Sequence, residues 1–228
     1  GELYIEADTE INLPDLNETI TVPEDIFEEL TAQDASVAGF NPYEQPTVRD
    51  LLYGVLLPSG ADACETLARA VGGSEEGFVA MMNQKAEELG LTNTHFENCT
   101  GLHNDNHYST CRDIAVLMSE CLKSDTFREI VTREVYTTEA TASHPEGITL
   151  YDTMLHRFTS YEMSTTLENG AVIEGGKTGF TDEAGQCLVS FAEYGGEEYI
   201  LVTAEAMTDS GSAVDSIADA STVYGRLQ

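Results

Sequence analysis

Apolar side chains recur every three or four residues along much of residues 47–121, and this spacing predicts amphipathic helices. Threonine, serine or glycine stands at the ends of these stretches, and Thr47 with Asp50 fits a capping box. Pro58 ends the first helix, because proline cannot continue the helical hydrogen bonds. Residues 12–24 are rich in turn formers around a short extended piece. The predicted helices cover residues 47–57, 60–72, 74–89 and 110–121.

The pattern changes after residue 165, where runs rich in β-branched and aromatic residues predict strands. The runs cover residues 171–181, 186–196 and 197–207. The Gly195–Gly196 pair between the last two runs predicts a tight antiparallel hairpin. An earlier alternating run, residues 128–140, is predicted to be a strand or one arm of a hairpin.

A last helical pattern closes the chain over residues 212–227. Its predicted apolar face consists of Val214, Ile217, Ala218 and Val223. Helices therefore come first, then a meander of strands, then a packing helix, which is the order of an α+β fold. The expected organisation is a single domain over residues 1–228, with a helical part at about 25–165 and a sheet with its closing helix at about 166–228.

Acidic residues outnumber basic residues by 41 to 10, which gives a formal net charge of −31. Because the acidic residues are spread along the whole chain, they predict a solvated surface that repels nucleic acid and anionic lipid. No apolar run reaches the roughly 18 residues of a membrane span, so no transmembrane helix is predicted.

The five cysteines are an odd number and include no Cys-x-x-Cys pair, which argues against a zinc ribbon or a thioredoxin motif. Four of them lie in predicted helices or strands and are expected to be small buried side chains: Cys64, Cys111, Cys121 and Cys187. Cys99 lies in a long polar loop, and a disulfide from it stays open at this point.

The same polar loop contains His103, Asp105 and His107, which raise the question of a metal site. These residues lack a His-Glu-x-x-His helix and a third ligand at regular spacing. An ordinary polar loop is therefore favoured, and no metal site is predicted.

Ser59 lies between Pro58 and Gly60, where the first two predicted helices meet, and two interpretations of it are open. With Asp62 three residues later, Ser59 fits a helix cap. A hydroxyl held at a sharp turn is also suited to chemistry.

A second short motif, Lys177-Thr178-Gly179, lies in a predicted strand. Lys177 supplies a cation and Thr178 a hydroxyl, while Gly179 leaves room for a ligand along the strand. In so acidic a chain, Lys177 is a candidate for binding an anionic group such as a peptide carboxylate. The alternative is an ordinary turn into a strand, since any tripeptide occurs by chance.

Three blocks of sequence, taken in their order and spacing, resemble the low-molecular-weight penicillin-binding proteins, the serine D-Ala-D-Ala carboxypeptidases. The blocks are TVRDLLYGVLLPSGADA, NTHFENCTGLHNDNHYSTCRDIAVL and GGKTGFTDEAGQCLVSFA. The similarity extends over roughly residues 18–226. It implies a β-lactamase/transpeptidase-like fold, in which a helical cluster packs on an antiparallel sheet with a C-terminal helix.

The resemblance implies an enzyme that removes the terminal D-Ala from peptidoglycan stem peptides through an acyl-enzyme and is inhibited by β-lactams. Ser59 corresponds to the family's second-motif serine, a proton relay, and Lys177 is its catalytic partner. The implied substrate-binding residues are Lys177, Thr178, Gly179, Thr181 and Ala61. No metal or organic cofactor is implied. Such enzymes act outside the cytoplasm, and a membrane would be reached only through an anchor that this chain does not contain.

Two features depart from the family pattern. Ala61 stands where the family usually has Asn, so a hydrogen bond to the substrate amide is lost or supplied elsewhere. No Ser-x-x-Lys motif, the family's nucleophile and base, occurs in the 228 residues. The family places that motif just before the stretch that matches residue 1 onwards, so we expect residue 1 to lie within the nucleophile helix and the chain to be a fragment. The alternative is a non-catalytic module that binds stem peptides or β-lactams.

Overall fold

The computed structural model describes residues 14–206 and 214–228, and it shows helices before strands, as predicted for the α+β class. The helices are α1 (Ile26–Ala32), α2 (Val48–Leu56), α3 (Ala61–Gly72), α4 (Glu75–Glu88), α5 (Cys111–Cys121), α6 (Asp125–Val131), α7 (Leu155–Ser160) and α8 (Asp215–Tyr224). The strands are β1 (Val135–Thr137), β2 (Thr149–Tyr151), β3 (Val172–Thr181), β4 (Gly185–Tyr194) and β5 (Glu197–Ala206). The four helices predicted between residues 47 and 121 are confirmed as α2 to α5.

Helices α1, α2 and α3 share one apolar core, in which Leu51, Leu57 and Ala63 are fully buried. The ring of Tyr53 on α2 stacks on Tyr136 of β1, with 3.7 Å between ring centroids and an interplanar angle of 5°. This stack attaches the small β1–β2 ladder to the helical core. The α2–α3 turn therefore packs on this apolar core.

A buried carboxylate holds the segment before α2 against the first turn of α3. Asp62 has 0% of its surface exposed, and its two oxygens accept hydrogen bonds from the backbone N–H groups of Ala38, Gly39 and Phe40. The three N···O distances are 2.7, 3.0 and 3.0 Å. These bonds compensate the carboxylate for the water that it loses on burial.

The main sheet has the order β3-β4-β5, and both of its ladders are antiparallel. The central strand, β4, is buried on both faces. Its successive side chains point to opposite sides of the sheet, so alternate residues pack against different layers. Leu188 and Ala192 pack with Ile217 of α8, whereas Val189 and Phe191 pack with side chains of α5 and α6. The sheet is therefore enclosed between α8 on one face and α5 with α6 on the other.

The predicted hairpin between the last two strands is confirmed. Gly195 and Gly196 have φ angles of 64° and 83°, and Tyr194 of β4 pairs with Glu197 of β5 across them. Two consecutive residues with positive φ define the type I′ turn, which matches the natural twist of a hairpin.

The strand predicted from residue 128 is wrong in its first half, which forms α6. Ser124 caps this helix, since its Oγ accepts a hydrogen bond from Phe127 N at 3.3 Å. Ile130 and Val131 are consecutive and both buried, which a helix packed between layers allows and a one-sided strand does not. Only residues 135–137 are extended, as β1, which pairs with the unpredicted β2.

The face predicted for the closing helix is wrong at one end. Val223 is 43% exposed, and the buried face of α8 is formed by Ile217, Ala220 and Tyr224. The Tyr224 hydroxyl donates a hydrogen bond to Ser190 O of β4 at 2.9 Å, which turns the helix toward the sheet. Residues 207 and 212–213 of the predicted elements, residues 12–13, and the expectation for residue 1 lie outside the described residues.

All five cysteines are free thiols. The expected burial is wrong for Cys111, which is exposed at the first position of α5, where the helix face has not yet turned inward. Cys64, Cys99, Cys121 and Cys187 are half-buried.

In the part of the chain that the structure describes, no helix combines the length and the apolar character needed to cross a bilayer. The longest of these helices, α4, has 14 residues.

Asp62→Ala is expected to lower the free energy of unfolding by about 3 kcal/mol, because it removes the acceptor of three backbone donors, two of which, Ala38 N and Phe40 N, are buried. Asp62→Asn keeps one acceptor oxygen and should cost less. Urea unfolding followed by circular dichroism measures both changes. Asp105→Ala is the control, since the Asp105 side chain is 98% exposed and its loss should change stability by less than about 0.5 kcal/mol. Equal stabilities for Asp62→Ala and the control would contradict the role of Asp62.

Candidate active site

Ser59 lies in the turn between α2 and α3 with a left-handed backbone, φ 61°. This conformation costs a residue other than glycine roughly 1–2 kcal/mol. The next residue must be small, because a Cβ at Gly60 would lie 2.6 Å from Ala38 Cβ. The helix-cap interpretation of Ser59 is wrong, since α3 begins after Gly60 and no side chain caps it. The Ser59 hydroxyl is directed elsewhere.

The Ser59 hydroxyl meets Lys177, which lies in the middle of β3. Lys177 Nζ donates a hydrogen bond to Ser59 Oγ and a second one, at 2.8 Å, to Thr178 O. The pairing of Lys177 with Val189 on β4 sets the register of the strand at this point. The structure thus brings together the two residues that sequence resemblance singles out as catalytic, although 118 positions separate them.

Two glycines before Lys177 let β3 pack closely against its neighbours. A Cβ at Gly175 would lie 2.2 Å from Val131 O, and a Cβ at Gly176 would lie 2.4 Å from Val189 O. Gly179 is different, because a Cβ there would meet only Cys187 Cβ, at 3.8 Å. The fold does not require glycine at position 179, and its exposed place leaves open space beside the strand.

Thr178 is oriented by a residue that the sequence did not indicate. Its Oγ1 lies 2.5 Å from Thr153 Oγ1. Thr153 is itself fixed to the end of α2, since its N–H donates to Leu57 O at 3.2 Å. No motif marks Thr153, and its relation to the Lys-Thr-Gly strand depends on a contact between distant segments.

Burial lowers the pKa of Lys177 to about 8, and the charge of Arg157 adds to this effect, while the carboxylate of Asp152 opposes it. Burial likewise raises the pKa of Asp152 to about 6. The Asp152 carboxylate Oδ1 accepts hydrogen bonds from Leu155 N at 2.6 Å and Met154 N at 2.9 Å, which hold it at the start of α7. Lys177 can therefore change its protonation state within the range in which proteins work.

The two remaining expected site residues, Ala61 and Thr181, are engaged in other contacts. Ala61 is 5% exposed in the core of α1–α3, and its N–H donates to Ser36 O at 2.8 Å, so the structure opens no surface of Ala61 to a ligand. Thr181 ends β3, where its Oγ1 accepts a hydrogen bond from Ala184 N at 3.0 Å.

Thr181 also lines a cleft of about 670 Å³ between α1, α3, the loop at residues 97–104 and the end of β3. Ser59, Lys177 and Thr178 do not line this cleft. The Ser59–Lys177 pair, in the middle of β3, and the cleft, at the end of β3, are therefore separate features.

The loop residues that raised the question of a metal site do not converge. His103 Nε2 lies 3.4 Å from Asp105 Oδ1, whereas His107 Nδ1 accepts a hydrogen bond from Glu97 N at 3.2 Å. Among the described residues, these three side chains do not form a group close enough to share one ion.

Residues 4–208 match the family model described as D-alanyl-D-alanine carboxypeptidase. The D-alanyl-D-alanine carboxypeptidase DacF of Bacillus subtilis is 36% identical over 168 residues, which cover 73% of this chain and 40% of that protein. The D-alanyl-D-alanine carboxypeptidase of Streptomyces sp. strain K15 is 35% identical over 191 residues, 81% of this chain and 63% of that protein. The chain therefore belongs to the D-alanyl-D-alanine carboxypeptidase family, and it spans less than two thirds of the length of either relative.

Solved structures agree with this assignment. The crystal structure of the Streptomyces K15 DD-transpeptidase is similar at a TM-score of 0.77 and 31% identity, covering 94% of this chain and 80% of that one. A D-alanyl-D-alanine carboxypeptidase from Mycobacterium tuberculosis gives a TM-score of 0.73 at 27% identity, with 92% and 74% of the two chains covered. The predicted family and the β-lactamase/transpeptidase-like fold are confirmed.

The Lys177 ammonium is expected to titrate near pH 8. Asp152→Asn should move this titration to lower pH, because it removes the negative charge that favours the protonated amine, while Asn can still accept the helix-start hydrogen bonds. The chain has three lysines, so the ¹³Cε resonances of labelled lysine are resolvable, and Lys177→Arg assigns the one in question.

Lys85 is the internal control for this titration, because its hydrogen bond to Glu88 raises the pKa of Lys85 instead of lowering it. A Lys177 resonance that titrates together with Lys85, or that Asp152→Asn leaves unmoved, would contradict the expected electrostatics.

Proposed function

We propose that this chain acts in serine D-alanyl-D-alanine carboxypeptidase chemistry, in which the terminal D-Ala of a peptidoglycan stem peptide is removed, and that β-lactams bind at the same place as inhibitors. The observation that carries the proposal is the hydrogen bond from Lys177 Nζ to Ser59 Oγ. It places a cation of the sheet beside a hydroxyl of the helical part. The cation is suited to binding the C-terminal carboxylate of a peptide, and the hydroxyl is suited to giving a proton to the leaving amine.

Lys177 and Thr178 are the proposed carboxylate site. The protonated amine of Lys177 supplies the positive charge. The Thr178 hydroxyl donates a hydrogen bond to the carboxylate, and its contact with Thr153 Oγ1 orients it. Gly179 leaves space for the peptide to lie along β3. In a chain of net charge −31, the local cation is needed to hold an anionic end group at all.

Ser59 is the proposed proton relay. Because Lys177 Nζ donates to Ser59 Oγ, the proton of the hydroxyl is free to point at the amine that leaves as D-Ala. When Ser59 gives that proton to the leaving amine, Lys177 returns one to Ser59, and the lowered pKa of Lys177 near 8 makes this return easier.

The 228 residues contain no Ser-x-x-Lys, and no residue among them is assigned as the nucleophile. The proposal assigns binding and proton transfer to this chain. We also propose that its helical and sheet parts form one domain, and that it acts outside the cytoplasm, because its substrate belongs to the cell wall.

The proposal predicts that the chain binds a peptide ending in D-Ala-D-Ala through its free carboxylate. Lys177→Ala should weaken binding of diacetyl-L-Lys-D-Ala-D-Ala at least tenfold, whereas Lys85→Ala should leave it unchanged. Titration calorimetry at pH 7 measures both affinities. The same peptide with a C-terminal amide is the chemical control and should bind the unaltered chain as weakly as the acid binds Lys177→Ala. Equal binding of acid and amide would contradict the carboxylate site.

A second candidate function is a non-catalytic module that binds stem peptides, and the missing Ser-x-x-Lys favours it. A fluorescent penicillin distinguishes the two candidates. The 228-residue chain is expected to take up no stoichiometric covalent label, because Ser59 serves as relay and not as nucleophile. Covalent labelling of the protein made from its complete reading frame, with release of D-Ala, supports the enzyme. Binding of the penicillin by that protein without covalent labelling supports the module. Labelling of the 228-residue chain at Ser59 would contradict both candidate functions.

A further inference from the structure

Three potential metal ligands converge beside the cleft, although they come from separate parts of the chain. Glu65 lies on α3, Glu75 begins α4, and Cys99 lies in the loop between α4 and α5. Their ligand atoms, two carboxylate oxygens and one sulfur, all lie within 4.8 Å of one another. Their wide spacing matches no metal-binding motif, which is why the sequence predicted no metal site here.

Hydrogen bonds within the group hold the side chains facing one another. Cys99 Sγ donates to Glu65 Oε1 at 3.4 Å, and Cys99 N donates to Glu75 Oε1 at 3.2 Å. A second thiol is adjacent, since Cys64 Sγ donates to Cys99 O at 3.0 Å. Because the ligand side chains are already in position, less conformational entropy is lost when an ion binds.

The charges around the group favour a cation. Glu65 is 7% exposed. Arg69 Nε lies 3.4 Å from Glu65 Oε2, but the same guanidinium forms a closer pair with Asp25, at 2.7 Å. Arg69 is thus shared between two carboxylates, and a bound dication would offset the mutual repulsion of Glu65 and Glu75.

We propose that Glu65, Glu75 and Cys99 bind a divalent cation of borderline softness, and that Zn²⁺ fits best. A thiolate with two carboxylates suits Zn²⁺, whereas Mg²⁺ and Ca²⁺ prefer oxygen ligands throughout. In a tetrahedral zinc site with bonds of about 2.0–2.3 Å, neighbouring ligand atoms lie about 3.3–3.8 Å apart. The present limit of 4.8 Å is about 1–1.5 Å wider, so the three side chains move together when the ion binds.

Binding replaces the thiol proton of Cys99 by the metal, so each ion bound as Zn²⁺ releases a proton. Glu65 and Glu75 line the cleft, which gives the ion a path from solvent and leaves the fourth coordination position to water. The ion would tie the loop at Cys99 to α3 and α4. This inference does not depend on the proposed carboxypeptidase function.

Zinc titration of the 228-residue chain tests the proposal. The chain is stripped with a chelator, kept reduced with a phosphine, and titrated calorimetrically in two buffers of different ionisation enthalpy. We expect one saturable equivalent whose heat reports proton release. Cys99→Ser and Glu75→Gln should each weaken binding at least tenfold. The matched controls Cys111→Ser and Glu76→Gln, at exposed positions, should bind as the unaltered chain does.

Co²⁺ provides a second readout, because a thiolate ligand gives it a charge-transfer band in the near ultraviolet. The band should appear in the unaltered chain and in Cys111→Ser and be absent in Cys99→Ser. Circular dichroism checks that each variant is folded. If Cys99→Ser does not fold, Glu75→Gln still tests the site. Absence of saturable Zn²⁺ binding, equal competition by Ca²⁺, or unchanged binding by folded Cys99→Ser would overturn the proposal.

Discussion

A lysine ammonium withdrawn from bulk water is the constraint on which the rest of the site depends. Lys177 loses hydration in the middle of β3, so its charge needs acceptors that the fold must supply. Ser59 Oγ and Thr178 O are those acceptors, and Asp152 adds a longer-range attraction. They come from the α2–α3 turn, from β3 itself and from the segment before α7. This one amine therefore connects the sheet to the α2–α3 turn and to the segment before α7.

The turn that carries Ser59 is held from two directions. Asp62 binds the chain segment before α2 through three backbone hydrogen bonds, and this segment packs directly on Gly60. From the sheet side, Thr153 N–H donates to Leu57 O at the end of α2, while the Thr153 hydroxyl contacts Thr178. Hydrogen bonds from Asp62 and contacts from Thr153 thus both restrain the α2–α3 turn, which fixes the position of the Ser59 hydroxyl.

Sequence patterns predicted the long elements well, because capping residues such as Thr47 and the glycine pair of the β4–β5 hairpin act locally. They failed where distant contacts decide. Residues 125–131 are helical because the layers on either side bury Ile130 and Val131 together. Tyr224 replaces Val223 in the core because its hydroxyl reaches the sheet. The motifs identified Ser59 with Lys177, but not the groups that orient and tune them, since these are neighbours only in the folded chain.

The left-handed backbone of Ser59 has a consequence for substitution at this position. Glycine adopts this conformation without penalty, so it would relieve the backbone strain of the turn. Glycine would also delete the hydroxyl that meets Lys177. A substitution at position 59 therefore exchanges backbone strain for the hydrogen bond to Lys177, and the strained serine keeps that hydrogen bond.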